Sequence, residues 1–236
     1  MYLRQVVRDA LPSPVVTLHA VVFDFDGTIF DTETTTYEAV VDVYAAHRRP
    51  LDQAWWSTMI GTTIDATDAA LERLADECGL DVNFIAAEVR ARVRELLLVA
   101  RPLPGVEELI RECTRDRIPL AVATSAPRKW VAHHLSNLGL LESFAALVPV
   151  DEVRYAKPHP EPYLTACRLV GATPRQSVAI EDSPPGVRSA VAAGLFTLGV
   201  ASQLTRGLDL SLAHQQHPSL EGIDLAALRV AVANRD

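Results

Sequence analysis

The chain has 236 residues, with 49% hydrophobic and 22% charged side chains. That is the balance of a folded globular protein of one or two domains, not of a disordered or fibrous one. The net charge of -8 argues against nucleic acid or an anionic membrane as a bulk-charge partner. No apolar run approaches the roughly 18 residues of a membrane span.

The first 18 residues are interrupted by Arg4, Arg8 and Asp9 and lack the uninterrupted apolar segment of a signal peptide. Cys78, Cys113 and Cys167 are an odd, widely spaced set. They fit packing in a reducing cytoplasm better than a disulfide framework or a zinc site. A monomer is expected, with a dimer as the alternative.

The first structural signal is His19-Ala-Val-Val-Phe23, a short apolar run that stops at acidic residues and Gly27. It predicts a buried strand. From Asp31 to Arg101 the pattern changes to apolar residues at three- and four-residue spacing. This predicts helices over 34–48, 64–78 and 83–99, with Thr34 and Asp81 as caps. Arg101-Pro-Leu-Pro-Gly105 breaks the chain. Strand and helix patterns then alternate: strands over 118–123, 145–150, 178–180 and 195–200, helices over 106–115, 128–138, 162–170 and 186–193. Alternation of this kind predicts an α/β fold with a parallel sheet. The expected organisation is a Rossmann-like catalytic core of residues 1–30 and 102–236, with residues 31–101 inserted as an all-helical cap. The insert would stand above the C-terminal end of the first strand, where open α/β sheets bind ligands.

Four strand ends carry chemistry. Asp24-Phe-Asp26-Gly27-Thr28 delivers two carboxylates and then a turn. One carboxylate can attack phosphorus and the other can protonate a leaving oxygen and then activate water; Asx-turn chemistry is the plainer alternative. Thr124-Ser125 sits between an apolar strand and a helix, where N–H groups favour an anion, although either hydroxyl can instead cap the helix. Lys157 is one of only two lysines among the 22 basic residues. Pro158 restricts its backbone to extended geometry, so it is aimed rather than free on a surface, the alternative being a solvated lysine. Glu181-Asp182-Ser183 ends another strand. Magnesium prefers hard oxygen ligands, and Asp24, the Asp26 carbonyl and Asp182 can supply them, with Glu181 ligating directly or through water. Parallel strands bring these ends together, and phosphoryl transfer needs this inventory of nucleophile, metal, positive charge and oriented donors.

In this order and spacing the four motifs resemble the haloacid dehalogenase-like hydrolase superfamily, over about Val21 to Val200. The resemblance implies Asp24 as nucleophile and Asp26 as general acid/base. It implies phosphate binding by Thr124 and Ser125, with Lys157 steadying nucleophile and phosphate. Mg2+ would be held by Asp24, Asp26 and Asp182, with Glu181. The helical-cap branch resembled includes phosphoglycolate phosphatases, sugar-phosphate phosphatases and β-phosphoglucomutases. A small phosphorylated metabolite is therefore the expected substrate. Gly61 and Thr62, in the stretch Met59-Ile-Gly-Thr-Thr-Ile-Asp65, fall where such caps carry a substrate-specificity loop. Mutases place an arginine there, and this chain has Ile64, so a phosphatase is preferred to a phosphomutase. A non-catalytic phospho-ligand binder is the third reading. Trp55 and Trp56 read as packing, His133 and His134 as interface or surface residues, and Arg90, Arg92 and Arg94 as a solvated helix face.

Overall fold

The computed structural model describes residues 17–59, 66–201 and 205–235. Six strands form one sheet: β1 (Ala20–Phe23), β2 (Leu120–Ala123), β3 (Ala146–Val148), β4 (Ser177–Glu181), β5 (Phe196–Val200) and β6 (Gln215–His217). Their order is β3-β2-β1-β4-β5-β6 and every neighbouring pair is parallel. This is a Rossmann-like sheet, and β1 lies at its switch point. The chain winds outward from β1 through β2 to β3, then returns to place β4 on the other side of β1. Open α/β sheets bind ligands at the crevice such a reversal leaves. Asp24 follows β1 and Asp182 follows β4, so two of the expected site residues border that crevice.

The period-two pattern of β1 divides the core. Val21 and Phe23 pack on one face with α5 (Val106–Arg115), α6 (Arg128–Asn137) and α9 (Leu225–Ala233). Val22 packs on the other with α7 (Glu161–Leu169) and α8 (Pro184–Ala192). Complete burial of such side chains stabilises by roughly 1.5–3 kcal/mol each, which is why β1 reads as an unbroken apolar run. Cys113 and Cys167 are buried members of these two layers. Burial pushes their thiols up to about 12 and about 11, so neither is a reactive thiolate.

Between β1 and β2 lie α1 (Thr32–Ala46), α2 (Gln53–Met59), α3 (Ala66–Cys78) and α4 (Val82–Leu97). They share their own apolar cluster, including Val40, Tyr44, Trp56, Leu71, Leu74, Ile85 and Val89. The Tyr44 hydroxyl donates to the Ala70 carbonyl at 2.8 Å, tying α1 to α3. Both ends of this helical segment meet at the sheet: Phe30 bridges Pro102, and the Leu103 N–H donates to Ile29 O at 2.9 Å.

Several expectations shift. Asp31, not Thr34, caps α1, its carboxylate accepting from the Thr34 N–H. A side chain one residue outside the helix reaches the free N–H groups, whereas Thr34 already lies inside the first turn. Asp81 caps α4 as expected. α2, β6 and α9 are additional elements. β6 is three residues of Gln-Gln-His at the sheet edge, too short and polar to show an apolar pattern. Met59 ends α2, and the rest of the expected specificity loop, Gly61 and Thr62 included, lies outside the described residues. Among the described residues no helix is long and apolar enough to cross a membrane.

Candidate active site

Asp24 leaves β1 with its N–H donating to Ile180 O at 2.9 Å. The residue is 6% exposed. Lys157 reaches it from the loop before α7, with Nζ 2.5 Å from Asp24 Oδ1 and 2.6 Å from Glu181 Oε1. The lysine side chain is 4% exposed, so the surface reading of Lys157 does not hold. Burial alone would lower the Lys157 ammonium, but Asp24 and Glu181 overcome it and hold the group above the ordinary lysine range. The loop is fixed from behind by Ser189, whose hydroxyl donates to the His159 carbonyl at 2.6 Å. That bond ties α8 to the loop that carries Lys157.

Glu181 is completely buried and heavily engaged. Oε1 accepts from Lys157 and from the Tyr163 hydroxyl at 2.8 Å. Oε2 accepts from the Asp182 N–H, the Ser183 N–H and the Ser183 hydroxyl. A Cβ on Gly186 would lie 1.8 Å from Glu181 Oε1, so the bare glycine makes room for this carboxylate at the start of α8. Pro184 and Pro185 occupy the first turn of α8, and Ser183 caps it by accepting from the Gly186 N–H.

Asp24, Glu181 and Asp182 each offer an oxygen within 4.8 Å of the others. Burial pushes Asp24 up, Lys157 opposes it, and Glu181 and Asp26 add to the rise. Burial, then Asp24 and Glu181, push Asp182 up as well. Among the described residues, three buried carboxylates thus face the Lys157 ammonium. A divalent cation with hard oxygen preference fits that imbalance.

Gly27 lets Asp182 approach. A Cβ there would stand 2.1 Å from Asp182 Oδ2, and the backbone has φ +80°. Gly27→Ala should therefore displace Asp182 and strain the turn by about 1–3 kcal/mol. The affinity of the acid cluster for a divalent cation is expected to fall about 10- to 100-fold, read as a shift in apparent Kd in a titration with Mg2+.

Asp26 occupies a different environment. Its Oδ1 accepts from the Thr32 hydroxyl at 2.7 Å and from the Trp130 indole N–H at 3.1 Å. Burial raises this carboxyl, and the two hydrogen bonds oppose the rise. Trp130 rests on His134, ring centres 4.2 Å apart, and His134 on Phe30 at 5.5 Å. His134 is thus a buried prop, not the surface or interface residue expected of it. Its helix turns that side toward Phe30, and burial holds the imidazole below its ordinary range. Trp55 and Trp56 do pack: Trp56 is buried against Tyr37, and the Arg73 guanidinium lies over the Trp55 ring.

Thr124 is buried at the end of β2, and its hydroxyl oxygen accepts from the Ala126 N–H at 3.0 Å. Its own hydrogen remains for another acceptor. The N-cap of α6 is Pro127, without a side-chain cap bond, so neither Thr124 nor Ser125 is spent on capping. Ser125 is exposed. Trp130, Thr32 and Tyr163 are polar contacts of the site that the motifs did not mark. Each reads in sequence as an ordinary helix position, and only packing turns its polar atom inward.

Beside Trp130 a cavity of about 1090 Å³ opens between α1, α3 and α4 on one side and α6 on the other. Leu71, Val89, Arg90, Trp130 and His133 are among its walls, which include neither Asp24 nor Lys157.

A buried carboxylate with a half-buried second one, a lysine and an acid cluster at a parallel sheet's switch point define a phosphoryl-transfer enzyme. Comparison with known families makes this specific. The haloacid dehalogenase-like hydrolase family matches residues 21–200, and the chain belongs to that family. The chain is 33% identical to fructose-1-phosphate phosphatase YqaB of Escherichia coli, over 76% of this chain and 94% of that one. It is also 33% identical to validoxylamine A 7'-phosphate phosphatase of Streptomyces hygroscopicus subsp. limoneus, over 76% and 84%. Among solved structures, CbbY from Rhodobacter sphaeroides in complex with phosphate superposes with a TM-score of 0.68 and 28% identity, covering 90% of this chain and 99% of that one. The chain is a phosphatase of this family.

Proposed function

We propose that the protein is a magnesium-dependent phosphatase of a small phosphorylated metabolite, a sugar phosphate or a phosphoglycolate-like compound, acting through an aspartyl-phosphate on Asp24. The observation that carries this reading is the buried Asp24 carboxylate, paired with Lys157 at 2.5 Å and flanked by Asp182. Relatives named for fructose 1-phosphate and for phosphorylated carbohydrates support the substrate class.

In the first step Asp24 attacks phosphorus and the bond to the leaving oxygen breaks. Asp26 protonates that oxygen as it departs. In the second step Asp26 takes a proton from water, which hydrolyses the aspartyl-phosphate and frees Asp24. Lys157 keeps Asp24 oriented and places positive charge beside the transferring group. Thr124, with Ser125 at the loop rim, donates to phosphoryl oxygens. Asp24, Asp182 and the Asp26 carbonyl would hold the magnesium, which when bound neutralises phosphoryl charge. Glu181, with both oxygens already accepting, serves chiefly to hold Lys157 and the start of α8. Residues 31–101 act as a cap over the core of 1–30 and 102–236, hinged where Phe30 meets Pro102.

Phosphate release from a panel of hexose, pentose and hexitol phosphates and phosphoglycolate, with magnesium and with excess chelator, tests this. Magnesium-dependent release from one group of compounds is the expected result. Phosphate moved within a sugar phosphate, with none released to water, would replace the phosphatase by a mutase.

A further inference from the structure

Asp26 receives one donor from each part of the molecule. Thr32 belongs to α1, at the start of the helical insert, and Trp130 belongs to α6 of the core. Both reach the same oxygen, Oδ1. A hydroxyl can donate or accept, but an indole N–H only donates. With Thr32 and Trp130 both donating to Oδ1, the in-plane lone pairs of that oxygen are taken up, and the proton of a general acid belongs on Oδ2.

The indole is itself held in a closed circuit. It rests on His134, His134 rests on Phe30, and Phe30 returns to the acid's own loop. That return is a backbone bridge to Asp26 and a 2.8 Å bond from the Gly27 N–H to Phe30 O. Trp130 is half-buried and stands between Asp26 and the large cavity. The ring packing does not itself require the nitrogen, since a sulfur heterocycle of the same bicyclic shape would fill the same space.

We propose that Trp130 is a positioning residue for Asp26: its N–H pins Oδ1 so that Oδ2 is the oxygen presented to the leaving group. This rests on the reading of Asp26 as the general acid. Proton donation matters most when the leaving oxygen is strongly basic, so losing the pin should harm poor leaving groups selectively. The ratio kcat/KM reports the first irreversible step, loss of the leaving group, and is unaffected by later hydrolysis of the aspartyl-phosphate.

The test compares kcat/KM for phenyl phosphate and 4-nitrophenyl phosphate in wild type, Trp130→Phe and Asp26→Asn, in the presence of magnesium. Trp130→Phe is expected to lose about tenfold on phenyl phosphate and less than about twofold on 4-nitrophenyl phosphate, a fraction of the roughly 100-fold or greater general-acid effect. Asp26→Asn should show the same selectivity more strongly. If Trp130→Phe does not fold, β-(3-benzothienyl)alanine at position 130 keeps the bicyclic shape and replaces the N–H by sulfur. Selective loss in Asp26→Asn with equal or no loss in the position-130 variant overturns the role of Trp130 alone. No selectivity in Asp26→Asn overturns the general-acid assignment, and the positioning role with it.

Discussion

Asp24→Asn should lower phosphate release by at least about ten-thousandfold, the scale seen when a nucleophile is removed from a working constellation. The substitution is nearly isosteric. It leaves Lys157 bound to Glu181 and leaves Asp182 in place, so the fold should persist. An amide oxygen is too weak a nucleophile for phosphorus. The covalent step has its own readout, because borohydride reduces an aspartyl-phosphate to homoserine. Wild-type enzyme quenched during turnover should yield a peptide with homoserine at position 24, and the variant should yield none. Full activity in Asp24→Asn, or homoserine at another aspartate, would show that the covalent assignment is wrong.

Lys157→Met should affect both activity and stability. Lys157 lies between Asp24 and Glu181 with almost no solvent contact. Removing it leaves two buried carboxylates without their counter-charge, a change that costs about 3–5 kcal/mol when one partner of a buried pair is deleted. The pH dependence has a definite sign. The lysine is held above its ordinary range, so in wild type its charge, and the stability that charge contributes, is fully present below the unfolded lysine value. It is lost only as pH rises through the folded value. In the variant, Asp24 has burial and Glu181 pushing it up with no lysine in opposition. A carboxyl raised by folding is destabilising once ionised, so the variant should recover stability as pH falls. Chemical denaturation at pH 7 and pH 5 should show the larger deficit at pH 7. Adding Glu181→Gln removes one of the orphaned charges and should restore part of the loss. An equal deficit at both values would mean that packing, not charge, is what Lys157 contributes.

The order of the strands' chemistry was legible because each strand of a parallel sheet announces itself twice. It is an apolar run, since both faces are buried, and it ends at residues unsuited to that run. Val22 and Phe23 before Asp24, Ala123 before Thr124, and Ile180 before Glu181 all show this. The helical insert was legible through its three- and four-residue spacing. β6 was not, because an edge strand of Gln-Gln-His buries little. The Asp31 cap was displaced from Thr34 because capping depends on which side chain lies just outside the first turn, a matter of one residue.

The sequence by itself determined which chemical groups the protein possesses: two carboxylates after the first strand, a scarce lysine before a proline, and an acid pair followed by glycine. These are local facts, carried by residue identity and spacing. Only the tertiary structure decided how those groups divide their work. Parallel pairing of β1 with β4 set Asp24 beside Asp182, and the bare Cα of Gly27 left room for the Asp182 carboxylate. Burial turned Lys157 from a lysine in a loop into a counter-ion, and committed both oxygens of Glu181 to donors. Trp130, more than a hundred residues from Asp26 in the chain, reached it because α6 starts at the neighbouring strand's end. Hydrogen bonds between distant residues leave no periodic trace, so packing alone could assign them.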